Sequence, residues 1–427
     1  MEYSDKALVF LTSHGMDPYG LDMESAVSRF LAEMELGLAG HQSSLDMIPT
    51  YLSGARSLPS QAKAAVIDAG GTNFRTALVS FSAGGATVER MERAPMPGTL
   101  APSTWEAFID YAAQSLLPFL PQADAVGFCF SYRTEITPAR DGRVIALSKQ
   151  VELSGCGGRL VCADLQARLE AMGAPKRPAV LVNDTAAVLL SGAQLLRGGE
   201  YDGLIGLVCG TGENTCCELD TGRIGKLNCP GGKRMLVNLE SGGFSGMPAG
   251  DFDRELDAAT YNPGDHLLEK MCSGGYVGEL CRLTLRGAAD DGLFSSAARD
   301  AVLGLGALGS PQADELAAGL TCPLLPLEGR DRQLAAQLCR AVFHRAAKCV
   351  AANLAAILIL TDSGVEKPAC ICADGSLFTR SRVFRPLLEA EMDAFALAKL
   401  GRRARFFSFD HAPIIGSAAA ALLNRNE

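Results

Sequence analysis

The residues predict an α/β protein built by duplicating one unit, and three observations carry that prediction. A strand–glycine turn–strand, AVIDAGGTNFRTALVS at 65–80, returns as DGLIGLVCGTGENTCCELD from Asp202, and a third strand–turn, PACICADGSLF, starts at Pro368. Short strands alternate with helical patterns around each of them. At 427 residues, 48% of them apolar, 20% charged and 6% aromatic, the chain can fill two ordinary domains.

In chain order, the first sixty residues read as amphipathic helix, clearest in SAVSRFLAEMELGLAG, and end near Pro59. Strands follow at 64–69, 74–81 and 86–91, joined by glycine turns. A helix is expected over 103–117 with Ser103 as its N-cap. Then come strand 124–130, helix 162–172, strand 179–183 and helix 185–196, with a boundary between units near 185–203. In the second unit RMLVNLE forms the third strand, ending at Glu240. Residues 241–330 read as an irregular, mostly helical insertion. A long helix over 333–360 leads to the third strand–turn, which is expected, like the others, to join strand to strand. Helix 381–399, strand 403–409 and the Ala-rich helix 415–424 complete the pattern.

Composition excludes several classes. A formal charge of −9 argues against a protein that grips nucleic-acid phosphates. The 14 cysteines include Cys216-Cys217 and Cys370-x-Cys372 but no C-x-x-C quartet, so they are expected to be small buried hydrophobes in a reducing compartment. The N-terminus lacks the basic start and apolar run of a signal peptide. The run VAANLAAILIL falls short of the roughly 20 residues that span a bilayer. A soluble, cytoplasmic protein without a membrane partner is expected.

Neither G-x-x-x-x-G-K-[ST] nor a helix-opening G-x-G-x-x-G is present. Backbone N–H groups in a glycine turn can nonetheless converge on an anion, and two turns from opposite halves could hold a nucleotide's phosphates. Asp68 is placed to orient Mg²⁺ through water, and Arg75 to offset phosphoryl charge. A solvated hairpin with a surface arginine satisfies the same residues. The segment PAVLVNDTAAVLLSG sets Asn183 and Asp184 where a strand meets a helix. An acid there is often an N-cap. It also faces the crevice where α/β sheets bind ligands, and could take a proton from an alcohol.

Over most of its length the chain resembles the hexokinase family, of the single-unit type. The resemblance lies in GLAGHQSSLDMIPTYL, AVIDAGGTNFR, GFCFSYRTEIT with GRVIALSKQ, LVNDT, GTGENTC, VNLESGGF, HLLEKMCSGGYVGEL and ADGSLF, in that order. It implies the duplicated actin-like ATPase (ribonuclease H-like) fold, with two domains around a cleft. The small domain would be 61–190, with the C-terminal helix 411–427; the large domain would be 1–60 and 191–410. It further implies an ATP- and Mg²⁺-dependent kinase acting on the 6-hydroxyl of a hexose, glucose above all.

By the same resemblance Asp184 is the general base, with Lys149 and Arg75 as its catalytic partners. Ser131, Ser148, Lys149, Asn183, Asn214, Glu240 and Glu269 contact the sugar. Asp68, Gly70, Gly71, Thr72, Asn73, Arg75, Thr211 and Gly212 take the phosphates and metal, and Gly375 and Ser376 the adenosine. The chain departs from the family at Ser131-Tyr132-Arg133, where a proline is usual, at Ser148 for threonine, and at Gln150-Val151, where glycine and phenylalanine are common. The alternatives are a same-fold kinase for an amino sugar or fructose, and a hexose sensor with little turnover. The sugar-type glutamates count against an actin-like filament protein, and the missing zinc-binding cysteine cluster against the bacterial repressor-type sugar kinases.

Overall fold

Two β-sheets of the same plan organise the chain. The computed structural model describes residues 3–54, 58, 61–147 and 151–425. In the first sheet the strands Ala62–Gly70, Asn73–Ser82 and Gly85–Pro95 form an antiparallel meander. Ala125–Phe130 and Ala179–Val182 then add parallel to the Ala62–Gly70 edge. The second sheet repeats this with Leu204–Cys209, Glu213–Asp220 and Arg234–Asn238, followed by the parallel Ala369–Asp374 and Ala404–Phe407. Ile48–Pro49 extends it as a sixth, antiparallel strand. The parallel strands AVGFCF and ACICAD are apolar along nearly their whole length because both faces are covered. The edge strand GATVERMERAP is charged and largely exposed, as an edge that must not pair further requires.

Two helices lie between the sheets. Ala412–Leu423 packs on the first sheet and Asp184–Ser191 on the second, and the two pack on each other. Glycines set these distances. A Cβ on Gly416 would sit 1.6 Å from the Ala187 carbonyl oxygen, one on Gly127 2.2 Å from that of Ser417, and one on Gly206 2.5 Å from that of Thr185. The sequence APIIGSAAAALL, with alanines around that glycine, makes a helix thin enough for the gap.

Outside the sheets, Trp105–Leu116 and Val161–Ala171 cover the first around the buried Trp105 and Phe108. Buried Asp141 caps Val161–Ala171 from a distance, accepting the N–H groups of Cys162 at 2.7 Å and Ala163 at 2.9 Å. The helical insertion and the N-terminal helices cover the second sheet around Gly329–Leu360. That helix has 32 residues and is long and apolar enough to cross a membrane, but 94% of its apolar window is buried inside the protein. It is a core helix.

Several expectations change. Among the described residues of the first sixty there are two helices, Asp5–Ser13 and Met23–Ala39, and the chain to Gly54 is otherwise irregular around the short strand Ile48–Pro49. Thr104, not Ser103, caps Trp105–Leu116, its side chain accepting from Ala107 N–H, because the short parallel ladder of Ser103–Thr104 with Leu153–Ser154 keeps both residues extended and the helix begins only at Trp105. The third turn runs into a helix, Ser376–Arg380, rather than a strand. The segment expected as one helix over 381–399 is the helix Phe384–Glu391 followed by a wider π turn, Met392–Leu397. All cysteines except Cys156 and Cys229 are buried.

Replacing Gly416 by Ala should lower stability by about 3 kcal/mol or more, since the methyl group can be housed only by moving a backbone. Gly157→Ala, which would meet nothing within 4 Å, should stay within about 0.5 kcal/mol. Urea unfolding of the two variants checks the contrast.

Candidate active site

Three turns and one helix start meet at the cleft between the sheets. The first turn, Gly70–Asn73, closes the hairpin, with Gly71 at φ +55° and Thr72 and Asn73 exposed. Asp68, two residues before it, is 6% exposed, and Arg75 Nη1 donates to it at 3.0 Å. The aspartate and arginine assigned separate tasks from sequence are therefore paired with each other. Burial pushes the Asp68 carboxyl above its usual range; Arg75 opposes this, and Asp184 adds to it.

The segment after Ala125–Phe130 is stitched to that turn. Ser131 N–H donates to Ala69 O at 3.3 Å, and Tyr132 Oη donates to the Gly71 carbonyl at 3.0 Å. Tyr132 is held edge-on by Phe130, ring centroids 4.8 Å apart. Ser131 also donates its hydroxyl to Asp184. One residue thus connects the first turn with the helix start.

At that start Asn183, not Asp184, is the N-cap, and its Oδ1 accepts the Thr185 N–H at 2.9 Å. Asp184 is the first helical residue. Its Oδ1 accepts from the Thr185 backbone at 2.7 Å and hydroxyl at 3.2 Å. Enclosure pushes its carboxyl up, and the hydrogen bonds from Ser131 and Thr185 hold it back. Asp374, at the third turn, adds a repulsion of the same sign that sequence reading did not anticipate.

From the second half come the amide and two glutamates. Asn214 accepts the N–H groups of Thr215 at 2.7 Å and Ser241 at 3.2 Å, and donates to Asn238 Oδ1 at 2.9 Å and Glu240 Oε1 at 3.4 Å. Asn238 donates to Glu240 as well. Glu240 takes the left-handed conformation, φ +56°, which turns it out of the strand toward the cleft. Burial raises its carboxyl, and Asp184 raises it further from across the cleft. Glu269 is likewise raised by burial, and its Oε2 accepts the Glu213 N–H at 3.2 Å.

Glycine makes the second turn possible: a Cβ on Gly212 would meet Glu269 Oε2 at 2.6 Å. Gly375, at φ +105°, lies against this turn, where a Cβ would meet the Cys209 carbonyl at 2.4 Å. The segment after Glu269 buttresses it, Gly274 N–H donating to Gly210 O at 2.7 Å and Gly275 N–H to Thr211 O at 3.0 Å. Lys270 points elsewhere and is buried, its Nζ bonded to Asp257 at 2.6 Å and the Asn262 carbonyl at 2.7 Å.

Of the residues singled out from sequence, Ser131, Asn183, Asp184, Asn214, Glu240 and Glu269 frame one cleft, with the turns carrying Asp68, Gly70, Gly71, Thr72, Asn73, Arg75, Thr211, Gly212, Gly375 and Ser376 at its end. Ser148 and Lys149 lie outside the described residues. Asn238, Tyr132 and Asp374 were missed. Asn238 ends the strand Arg234–Asn238, and within RMLVNLE it reads from sequence as an ordinary strand residue. Among the described residues no three His, Cys, Asp or Glu side chains gather to hold a metal ion. What the arrangement can do chemically is hold a polyhydroxy compound by carboxylates and amides and present backbone N–H groups to phosphates beside it.

Comparison with known proteins agrees with this chemistry. Two family profiles, both described as hexokinase, match residues 18–194 and 204–423. Hexokinase-3 of Oryza sativa subsp. japonica is 31% identical, over 86% of this chain and 80% of its own length. Hexokinase-1 of Nicotiana tabacum is 28% identical, over 94% and 88%. Among solved structures, a hexokinase crystal structure superposes with a TM-score of 0.83 at 22% identity, covering 98% of this chain and 99% of that one. The hexokinase of Schistosoma mansoni complexed with glucose does so with 0.74 at 22% identity, covering 98% and 100%.

Tyr132→Phe should cost about 1 kcal/mol of stability, one hydrogen bond. It should also loosen the first turn, read as faster amide exchange at 70–73 with no change around Asn214.

Proposed function

The chain belongs to the hexokinase family and is a hexose-phosphorylating kinase; from that premise we propose that glucose is its acceptor, Mg²⁺-ATP its donor and Asp184 its general base. The observation that supports the assignment of the base is the setting of that carboxylate. It stands at a helix start, oriented by Ser131 and Thr185, and faces Glu240 across the cleft. In this reading Asp184 takes the proton of the 6-hydroxyl as that oxygen attacks the γ-phosphorus. Asn183, Ser131, Asn214, Glu240 and Glu269 fix the other hydroxyls, since a hexose donates and accepts at each. Ser148 and Lys149 complete the set by family resemblance. Groups left unpaired by a wrong sugar are the means of rejecting it.

The N–H groups of the first and second turns, with Thr72, Asn73 and Thr211, cradle the phosphates, and Gly375 and Ser376 meet the adenosine. Arg75 offsets charge on the transferred group. Mg²⁺, when bound, neutralises phosphate charge. The single carboxylate of Asp68, with no cluster of three acids or imidazoles nearby among the described residues, fits an ion held mainly by phosphate oxygens and water. Closure of the halves over sugar would exclude water and limit idle ATP hydrolysis.

Mg²⁺-ATP-dependent ADP release should be strongest with glucose when tested against mannose, fructose, glucosamine and N-acetylglucosamine, and small without sugar. Preference for another of these would reassign the acceptor; tight hexose binding without release would make the protein a sensor. Asp184→Ala should lower kcat by several orders of magnitude, to about 10⁻³ or less of wild type, with glucose binding largely kept. Because enclosure raises the Asp184 carboxyl, its base form is lost on acidification sooner than for an ordinary aspartate. The acid limb of kcat should therefore have its midpoint above about pH 4, as a pH–rate profile would show.

A further inference from the structure

Beneath the residues that frame the cleft lies an acid that the reaction does not use. Glu213 follows the second turn and is 3% exposed. Its Oε1 accepts from the Ser241 hydroxyl at 3.2 Å and from Asn353 Nδ2 at 3.2 Å, the latter reaching in from the long core helix. Thr215 closes the ring, donating to Ser241 Oγ at 3.0 Å and accepting from Asn353 at 3.0 Å. Ser241 is the residue whose N–H holds the Asn214 side chain, and it directly follows Glu240. The other carboxyl oxygen of Glu213, Oε2, is buried without a hydrogen-bond partner among the described residues.

That geometry suits a neutral acid and not an anion. Among the described residues no cation lies beside it, and a carboxylate with one oxygen partnerless there carries a larger desolvation cost than a carboxylic acid, whose proton would sit on Oε2. The titratable groups facing it are Glu269 and Glu240 on the cleft side and the buried thiols of Cys209, Cys272 and Cys349. None of them is positive. Burial above all pushes the Glu213 carboxyl up to about 8; the hydrogen bonds from Ser241 and Asn353 hold it back, and weaker repulsion from Glu269 and Glu240 adds to the rise.

We propose that Glu213 is a positioning residue of the hexose site, which in its neutral form anchors Ser241, and through it Asn214 and Glu240, and whose ionisation releases the sugar. The proposal rests on the reading of Asn214, Glu240 and Glu269 as hexose ligands. Ionisation would put a negative charge behind two carboxylates that must accept sugar hydroxyls, and would draw Ser241, whose hydroxyl already donates to Oε1, closer to Glu213 and away from the place in which its N–H holds Asn214. Hexose affinity should thus fall on the alkaline side. The effect on stability has the matching sign. An acid raised in the folded state holds a proton that the unfolded chain has lost, so stability declines as pH rises from the ordinary glutamate range to about 8 and then levels.

The test is calorimetric glucose binding from pH 6.5 to 9.5 by wild type and Glu213→Gln, with Glu240→Gln at pH 7, and urea unfolding of the first two without sugar. Wild type should lose about tenfold in affinity between pH 7 and pH 9, as one group titrating near 8 requires, while Glu213→Gln loses little. The variant should gain stability over wild type at pH 8, by a margin that closes toward pH 5. Parallel glucose profiles together with lost binding in Glu240→Gln would overturn the role of Glu213 alone. Undiminished binding in Glu240→Gln would overturn the hexose reading and the proposal with it. Should Glu213→Gln not fold, wild type must take up protons on binding glucose at pH 8.5, seen as a binding heat that varies with buffer ionisation enthalpy. No uptake would overturn the proposal.

Discussion

The close crossing of two helices between the sheets is the constraint on which the site depends. Asp184 belongs to one of them, and its helix can reach the cleft from the first half only because that helix also seats on the second sheet at Gly206. The partner helix must pass within backbone contact, and Gly416 against Ala187 permits it. Larger residues at these points would part the sheets and move Asp184 away from Glu240. In the base role proposed for Asp184 little displacement would be tolerated, since misplacement by about 1 Å can cost two orders of magnitude in rate. The alanines of AAAALL are thus part of the site's specification, although none of them approaches it.

The cleft is unusually rich in one sign of charge. Asp68, Asp184, Glu240 and Glu269 all face it or lie beside it, and among the described residues only Asp68 of these has an arginine on it. Burial raises all four carboxyls, and Asp184 adds repulsion at Asp68 and Glu240. Such an arrangement is costly in the empty protein. It is relieved when hydroxyl donors arrive, because a carboxylate accepting several hydrogen bonds regains much of what desolvation removed. The polarity of the site is therefore matched to a ligand that is neutral and rich in donors.

Much of this was legible in the residues. The three glycine turns, the LVNDT strand end and the E-K-M-C-S-G-G segment are local signals whose physical demands are met within a few residues, and they fall at the cleft. What escaped depended on distant partners. Ser103 and Thr104 offer the same hydroxyl, and it is the pairing of both with Leu153–Ser154 that delays the helix to Trp105 and so makes Thr104 the cap. ADGS has the composition of a hairpin turn, yet Gly375 lies against Cys209 and the chain leaves it as a helix. Glu213 carries no signal of its own in the sequence; its buried partners are Ser241 and Asn353, the latter 140 residues away. Lys270 reads as part of a binding signature and proves to be a buried brace for the loop near Asn262.

The position of the Ala412–Leu423 helix has a consequence for how the protein comes into being. It covers the inner face of a sheet whose own strands end at Val182. During synthesis that sheet emerges early, with the apolar side chains of Ala64, Val66, Ala77 and Val79 uncovered on one face, while its lid is still untranslated. The first half cannot finish its core in the order in which it is made, and waits for a segment separated from it by the whole of the second half. Folding that closes so long a loop is slow, and the exposed face is sticky meanwhile. For this architecture the vulnerable interval is therefore biosynthesis itself, and dependence on chaperones would follow from topology alone.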